Sequence, residues 1–322
     1  MDFGLRISDL KKRDSSALGI ADRMNENTYM LGVKMEDLRI LVIGASGQLG
    51  IEVCRALDEE HEVVPATRNE VDIANLDRVL SFVKKTSPQV IINAAAYTDV
   101  DGCEANREVA FLVNAIGARN VAIAAREAGA KLVHISTDYV FDGNKNGPYL
   151  EYDPPCPLNV YGWSKLLGEQ MVWEQNPRSF ILRVAWLYSA HRENFVKTML
   201  KLAGERSEIQ VVSDQRGTPT FAGDVAKQIK LLIETDAYGL YHCTSQGSCS
   251  RYEFAKEIFR LAGVNVKVVP VKSSQFPTLA KRPRHSVLEN FMLKIQGLDI
   301  MPHWLDSLER ELPKIKEEVD RE

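Results

Sequence analysis

A tyrosine and a lysine stand four residues apart in Tyr161-Gly-Trp-Ser-Lys165. On a helix that spacing puts both on one face. A free phenol has a pKa near 10, too high for easy proton exchange at neutral pH. An ammonium group beside it favours the phenolate and lowers that value. Such a phenol can protonate the oxyanion formed when hydride attacks a carbonyl, and such a lysine can also hold a nicotinamide ribose. A Tyr/Lys pair by itself is common amphipathic decoration, so the weight rests on what surrounds it.

Two further groups join it. Thr137 ends the apolar run Lys131–Ser136, on the carboxyl side of a strand, where ligands sit in parallel sheets. Its hydroxyl can hydrogen-bond a substrate oxygen, although it is neither a strong acid nor a strong base. Asn114 lies inside a helical stretch, where asparagine is disfavoured. It either holds a water that relays protons from Lys165 or serves packing.

The element that would position a cofactor lies upstream. LRILVI, GASGQLG and IEVCRALDEE read as strand, glycine turn and helix. In Gly44-x-x-Gly47-x-x-Gly50 the first glycine permits the turn and the second lets a pyrophosphate approach backbone N–H groups. The third lets the helix pack closely on the sheet. Near the end of the second strand stand Thr67-Arg68-Asn69-Glu70. Arg68 is either a partner for a 2′-phosphate, which selects NADPH, or a surface arginine, and Glu70 leaves NADH open. Asp72 and Ile73 are candidates for the adenine edge.

The remaining pattern explains how these segments meet. Strands are expected at Glu62–Thr67, Val90–Ala96, Lys131–Ser136 and Phe180–Tyr188. Between them lie helices over DIANLDRVLSFVKKTSP, Glu104–Ala128 and Gly162–Gln175. Strands alternating with helices imply an α/β, Rossmann-like doubly wound parallel sheet. Beyond residue 188 shorter elements imply a smaller mixed α+β substrate-binding domain. The expected division is an N-terminal extension over 1–37, a dinucleotide-binding domain over 38–188 plus about 216–245, and a substrate-binding domain over about 189–215 plus 246–322.

Composition excludes several classes. Of 322 residues, 45% are hydrophobic and 26% charged, which is ordinary for a globular chain. Lys plus Arg is 40 against 44 Asp plus Glu, a net charge of −4, which gives no reason to expect a nucleic-acid or membrane partner. No run of 18 apolar residues suggests a membrane span, and MDFGLRISDLKKRD lacks the apolar core of a secretion signal. Cys54, Cys103, Cys156, Cys243 and Cys249 are odd in number and form no CxxC. A reducing, cytoplasmic setting without disulfides or a zinc site is expected.

Several blocks resemble the extended short-chain dehydrogenase/reductase family, and within it the dTDP-4-dehydrorhamnose reductase family. They are Gly44–Gly50, Asn93-Ala-Ala-Ala-Tyr-Thr98 with Val100-Asp101 and Glu104, Ser136-Thr-Asp-Tyr-Val-Phe-Asp-Gly143 and Tyr161–Glu169. Leu182–Tyr188, Asp214–Thr220 and Arg282-Pro-Arg-His-Ser286 complete the set, and the likeness spans roughly 39–300. The resemblance implies NADPH- or NADH-dependent reduction of the C4 keto group of a dTDP-linked 4-keto-6-deoxysugar. Thr137, Tyr161, Lys165 and Asn114 would be the catalytic set. Gly44, Ser46, Gly47, Gln48, Leu49, Arg68, Asp72, Ile73, Ala94, Ala95, Ala96 and Tyr97 would line the cofactor, with Tyr161 and Lys165. Thr98, Val100, Asp138, Tyr139, Trp186, Asn194, Gln215 and Arg282 would meet the substrate, with Phe195 and Lys201 as weaker members. Arg282 has the fork that suits phosphate oxygens.

Some members form homodimers through magnesium held by glutamates. The first of these maps onto Glu52, but the others find no clear counterpart, since Glu205 and Glu208 both lie near the expected place. No metal is therefore assigned. Two rivals share the scaffold. An epimerase or dehydratase would retain NAD, but Tyr139 stands where dehydratases usually carry a glutamate. A non-catalytic regulatory subunit, like that of methionine adenosyltransferase, would not need the intact Thr137, Tyr161 and Lys165.

Overall fold

The computed structural model describes residues 37–321, so the extension expected over 1–37 lies outside the described residues but for Asp37. Six strands form one parallel sheet: β1 (Arg39–Ile43), β2 (Glu62–Ala66), β3 (Val90–Asn93), β4 (Lys131–Thr137), β5 (Ser179–Val184) and, after four strands that lie outside it, β10 (Gly239–His242). Their order is β10-β5-β4-β3-β1-β2. The chain leaves β1 to one side for β2 and returns to the other for β3. That reversal opens a crevice at the carboxyl ends of β1 and β3, the usual ligand position in such sheets.

Alternation along each strand builds two separate cores. Ile40 and Val42 face one way, onto α1 (Gln48–Leu57) and α7 (Ala222–Ile233), through Leu49, Val53, Leu57, Val225 and Ile229. Leu41 and Ile43 face the other way, onto α2 (Leu76–Thr86), α4 (Arg107–Glu127) and α5 (Val160–Gln175). A strand buried on both faces must be apolar throughout, which is why β1 and β3 carry no polar alternation. α4 is apolar for the same reason: Ala118, Val121, Ala122 and Ala125 are packed against the sheet.

A third core joins α6 (Phe195–Glu205), α8 (Arg251–Ala262) and α10 (Trp304–Arg321) with the parallel pair β7 (Glu208–Val212) and β12 (Lys267–Val271); the short strands β8 (Arg216–Gly217) and β11 (Cys249–Ser250) pair with each other, and α9 (Phe291–Ile295) is a short helix. Ser250 and Glu253 form a reciprocal capping box at the start of α8, and Gly263 ends it in the left-handed conformation.

Two expectations change. The helix expected over Glu104–Ala128 is broken. α3 (Val100–Ala105) stops at Asn106, α4 begins at Arg107, and residues Leu112–Gly117 within α4 form a π-helical segment. The strand expected over Phe180–Tyr188 also divides. β5 ends at Val184, and β6 (Leu187–Tyr188) pairs with β9 (Thr220–Phe221) outside the main sheet. Trp186 makes the corner with φ +45°, a conformation strained for a bulky residue. A continuous apolar run cannot show where a strand changes sheets.

The buried ion pair of Glu169 on α5 and Arg183 on β5 fastens helix to sheet, with Arg183 Nε and Nη2 donating at 2.9 and 2.7 Å. Ser136 on β4 donates to the same carboxylate. Removing one partner strands a buried charge. Glu169→Ala is therefore expected to lose about 3–5 kcal/mol in chemical denaturation. A Glu169→Met/Arg183→Met double variant should recover most of that loss.

Candidate active site

The start of α5 is fixed from three directions. The Asn159 side chain accepts from Gly162 N at 2.8 Å and donates to the Lys281 carbonyl at 2.8 Å. Val160 N donates to Glu104 Oε1 at 2.8 Å. Gly162 is needed because a Cβ there would lie 2.2 Å from the Tyr139 carbonyl oxygen. Between these restraints the Tyr161 ring packs among Cys103, Ala110 and Val160, edge-on to Tyr139 with centroids 5.8 Å apart. Its phenol lies beside Thr137, the last residue of β4. Tyr161 therefore faces the carboxyl edge of the sheet.

The electrostatics differ from expectation. Burial is the largest influence on Tyr161 and pushes its phenol above the ordinary value; the neighbouring Thr137 hydroxyl works the other way and Asp138 adds to the rise. Lys165 is not among the main influences. It is buried and donates to the Ile135 carbonyl of β4, because its stem turns back toward the sheet. Burial lowers it to about 8, with Glu169 opposing. The ammonium thus ties helix to strand in this arrangement, and the phenol keeps its proton.

Asn114 sits in the π segment, almost wholly buried. Its carbonyl accepts from Tyr97 N at 2.8 Å, and its amide donates to Tyr97 O at 3.0 Å and to Ser164 Oγ at 2.9 Å. Both donors are engaged, so the side chain clamps the β3 loop to α5 and has no N–H left for a water. Its backbone carbonyl lies against Gly168, where a Cβ would come within 2.2 Å.

The glycine turn fits a dinucleotide. Gly44 has φ +83°, and a Cβ there would meet Ala95 N at 2.6 Å; at Gly50 it would meet the Gly44 carbonyl at 2.2 Å. Gly47 caps α1 with no side-chain hydrogen bond, so the first N–H groups of the helix remain available to an anion. Gln48 Oε1 is buried without a partner beside them. Ser46 is exposed and Leu49 is core; Ala94, Ala95, Ala96 and Tyr97 are half-buried along the facing loop. Arg68 is exposed just past the end of β2.

Asp72 and Ile73 lie between β2 and α2. Asp72 Oδ1 accepts from Ala74 N. Ile73 is buried, meets Gly117, and accepts from Asn120 through its carbonyl. Their side chains shape the turn into α2 and the core.

A cavity of about 1090 Å³ adjoins the site. Trp186, Phe195, Gln215 and Arg282 line it, as do Arg251, Arg284 and Val211. Arg282 reaches Asp101 at 2.8 Å and Tyr139 also contacts it. The Arg251 guanidinium lies 3.6 Å from the Trp186 ring centroid. Sequence reading missed Arg251, since it opens a helix as any basic residue might. Asn159 and Arg183 were equally unmarked.

Other expected substrate residues stand elsewhere. Asn194 caps α6, accepting from Val196 N and Lys197 N and donating to the Ser189 carbonyl, so its side chain is fully used. Lys201 pairs with Glu193 at 2.6 Å, away from the cavity wall. Thr98 is exposed and Val100 begins α3. Asp138 is 3% exposed and turned onto Thr137 instead of into the cavity. Glu52 is half-buried opposite His191 Nε2 at 3.7 Å, and burial raises its carboxyl. Among the described residues no group of three or more His, Cys, Asp or Glu side chains is arranged to hold a metal.

Residues 38–316 match the family model described as RmlD substrate binding domain. A dTDP-4-dehydrorhamnose reductase of Burkholderia thailandensis is 40% identical over 284 residues, covering 83% of this chain and 95% of that one. The spore coat polysaccharide biosynthesis protein SpsK of Bacillus subtilis is 40% identical over 272 residues, covering 84% and 95%. The crystal structure of a dTDP-4-dehydrorhamnose reductase from Bacillus anthracis in complex with NADP superposes with a TM-score of 0.85. That protein is 46% identical, with 86% of this chain and 99% of that one covered.

Losing the cap at the head of α5 should be measurable without any ligand. Asn159→Ala is expected to lower stability by about 1–2 kcal/mol in urea unfolding. Asn159→Asp, which keeps the acceptor, should lose less.

Proposed function

The chain belongs to the RmlD substrate-binding-domain family, and from that premise we propose that it uses NAD(P)H to reduce the C4 keto group of dTDP-4-dehydro-L-rhamnose, giving dTDP-L-rhamnose. The observation that carries this reading is the Tyr161 phenol, packed edge-on to Tyr139 and beside Thr137 at the carboxyl edge of β4. An oxidoreductase of this kind needs a proton held within hydrogen-bond reach of the carbonyl oxygen, beside a dinucleotide cleft.

Gly44, Gly47, Gly50, Gln48 and the loop Ala94–Tyr97 would hold the dinucleotide, and Arg68, exposed just past the end of β2, would meet a 2′-phosphate. When bound, the reduced nicotinamide supplies hydride. The chain supplies the rest. Tyr161 gives its proton to the C4 oxygen as negative charge develops there. Thr137 orients that oxygen and the phenol. Lys165 fixes α5 to β4 and presents a cation at the ribose side. Asn114 holds the β3 loop in register with Tyr161 through Ser164. Trp186 offers a flat apolar wall to the sugar, and Arg282 a guanidinium to the diphosphate.

The raised phenol suits the reductive direction, because an acid must arrive protonated. A phenol that stays protonated across neutral pH is a weak acid in solution but a competent one toward an alkoxide, whose conjugate alcohol is weaker still.

The test is consumption of NADPH and of NADH against dTDP-4-dehydro-L-rhamnose and against GDP- and UDP-linked keto sugars. Turnover should be confined to the dTDP sugar. Tyr161→Phe should lower kcat by about 10²–10⁴-fold, with NADPH affinity little changed; undiminished turnover would remove Tyr161 from its role. Arg282→Met should raise KM for the sugar nucleotide by roughly tenfold, the loss of about one charge-assisted hydrogen bond.

A further inference from the structure

Arg251 is a charged cavity residue to which this reaction scheme gives no task. The strands β8 and β11 pair Cys249 with Gly217 and Ser250 with Arg216, which sets Arg251 beside Gly217. Its backbone N–H donates to the Gln215 carbonyl at 3.2 Å and fixes the start of α8 there. From that point the guanidinium lies on a face of the Trp186 indole, 3.6 Å from the ring centroid, and 5.0 Å from the Phe195 centroid. Gly217 also lies against the indole, where a Cβ would come within 2.5 Å of Cε2.

This is an unfavourable place for a cation. Arg251 is half-buried, and burial lowers its pKa from the ordinary guanidinium value, with Tyr139 and Asp138 opposing. It is the first residue of α8, where the positive end of the helix dipole disfavours like charge. The stack on Trp186 offsets part of this. Among the described residues no carboxylate pairs with the guanidinium, and its N–H groups donate no hydrogen bond. Arg282 in the same cavity differs. It makes two hydrogen bonds to Asp101 and one to the Ala280 carbonyl, so its charge is already answered.

The cavity as a whole favours anions. Four of its lining side chains are cationic, Arg251, Lys281, Arg282 and Arg284, and one, Asp142, is anionic. Asp142 is itself held by Tyr149 and Asn144. A planar guanidinium with uncommitted donors matches two phosphate oxygens at once. We propose, on the reductase reading above, that Arg251 receives the sugar-bearing phosphate of the sugar nucleotide and so selects diphosphate over monophosphate ligands. Trp186, which that reading sets against the sugar, is the residue Arg251 stacks on, so the phosphate within its reach is the one that carries the sugar. The bound diphosphate supplies the counter-charge that no described side chain provides.

The test titrates dTDP and dTMP into the full chain by calorimetry. Wild type should bind dTDP the more tightly. Arg251→Met should weaken dTDP by about tenfold or more, the scale of one charge-assisted hydrogen bond, and leave dTMP little changed. Arg251→Lys, which keeps the charge without the fork, should recover part of the loss. Added salt should weaken dTDP more in wild type than in Arg251→Met. NADP affinity should be the same in all three proteins.

A wild type that binds dTDP no tighter than dTMP overturns the proposal. So does an Arg251→Met variant that binds dTDP normally, or one that loses dTDP and dTMP alike, since the residue would then only prop up Trp186. A crystal structure of wild type with dTDP decides the matter without any variant. A β-phosphate oxygen should lie within hydrogen-bond distance of an Arg251 nitrogen, and a diphosphate seated elsewhere overturns the proposal. The reductase reading fails separately: absence of NADPH oxidation with every keto-sugar nucleotide removes it, while the dTDP titration still reads the guanidinium.

Discussion

The site depends on one buried charge pair. Glu169 and Arg183 meet in two parallel hydrogen bonds with almost no exposure, and Ser136 completes the carboxylate's bonding. The pair joins the middle of α5 to β5, while Ser136 joins it to β4. One turn earlier on α5, Lys165 bonds the Ile135 carbonyl. The helix is thus pinned at two levels against the strand whose last residue is Thr137. Tyr161 and Thr137 approach each other because nothing in this packing lets α5 slide or rotate.

The two halves of the site meet at a strained residue. On one side the glycine turn and the Asn93–Tyr97 loop prepare a groove at the sheet reversal. On the other, the wall of the large cavity is carried by short elements after β5. Trp186 makes the junction in the left-handed conformation, with Arg251 stacked on its ring and Gly217 close beneath it, where a Cβ would come within 2.5 Å. Backbone strain of this kind persists only where surrounding contacts hold it.

Much of this was legible beforehand. The sheet's strands are nearly continuous apolar runs, and the glycine turn and the Tyr/Lys spacing are local patterns whose partners lie within a few residues. What escaped depends on contacts between distant segments. Arg251 and Trp186 are 65 positions apart, and no local signal joins them. Asn194 has a chemistry suited to a sugar, but a cap at α6 uses every polar atom it has. Lys165 occupies the expected face of α5, yet the sheet, not the phenol, supplies its hydrogen-bond partner. The π segment around Asn114 was invisible because one extra residue in a turn leaves the apolar pattern almost unchanged.

The Asn159 side chain touches two things at once: the first turn of α5 and the carbonyl of Lys281, next to Arg282. A lineage that remodels the segment around Lys281 to welcome a different sugar therefore disturbs the scaffold that aims the phenol. Divergence in selectivity and preservation of chemistry are under shared constraint here. New specificities would arise most readily around Phe195 and Val211, which line the same cavity from α6 and β7, where change leaves that amide untouched.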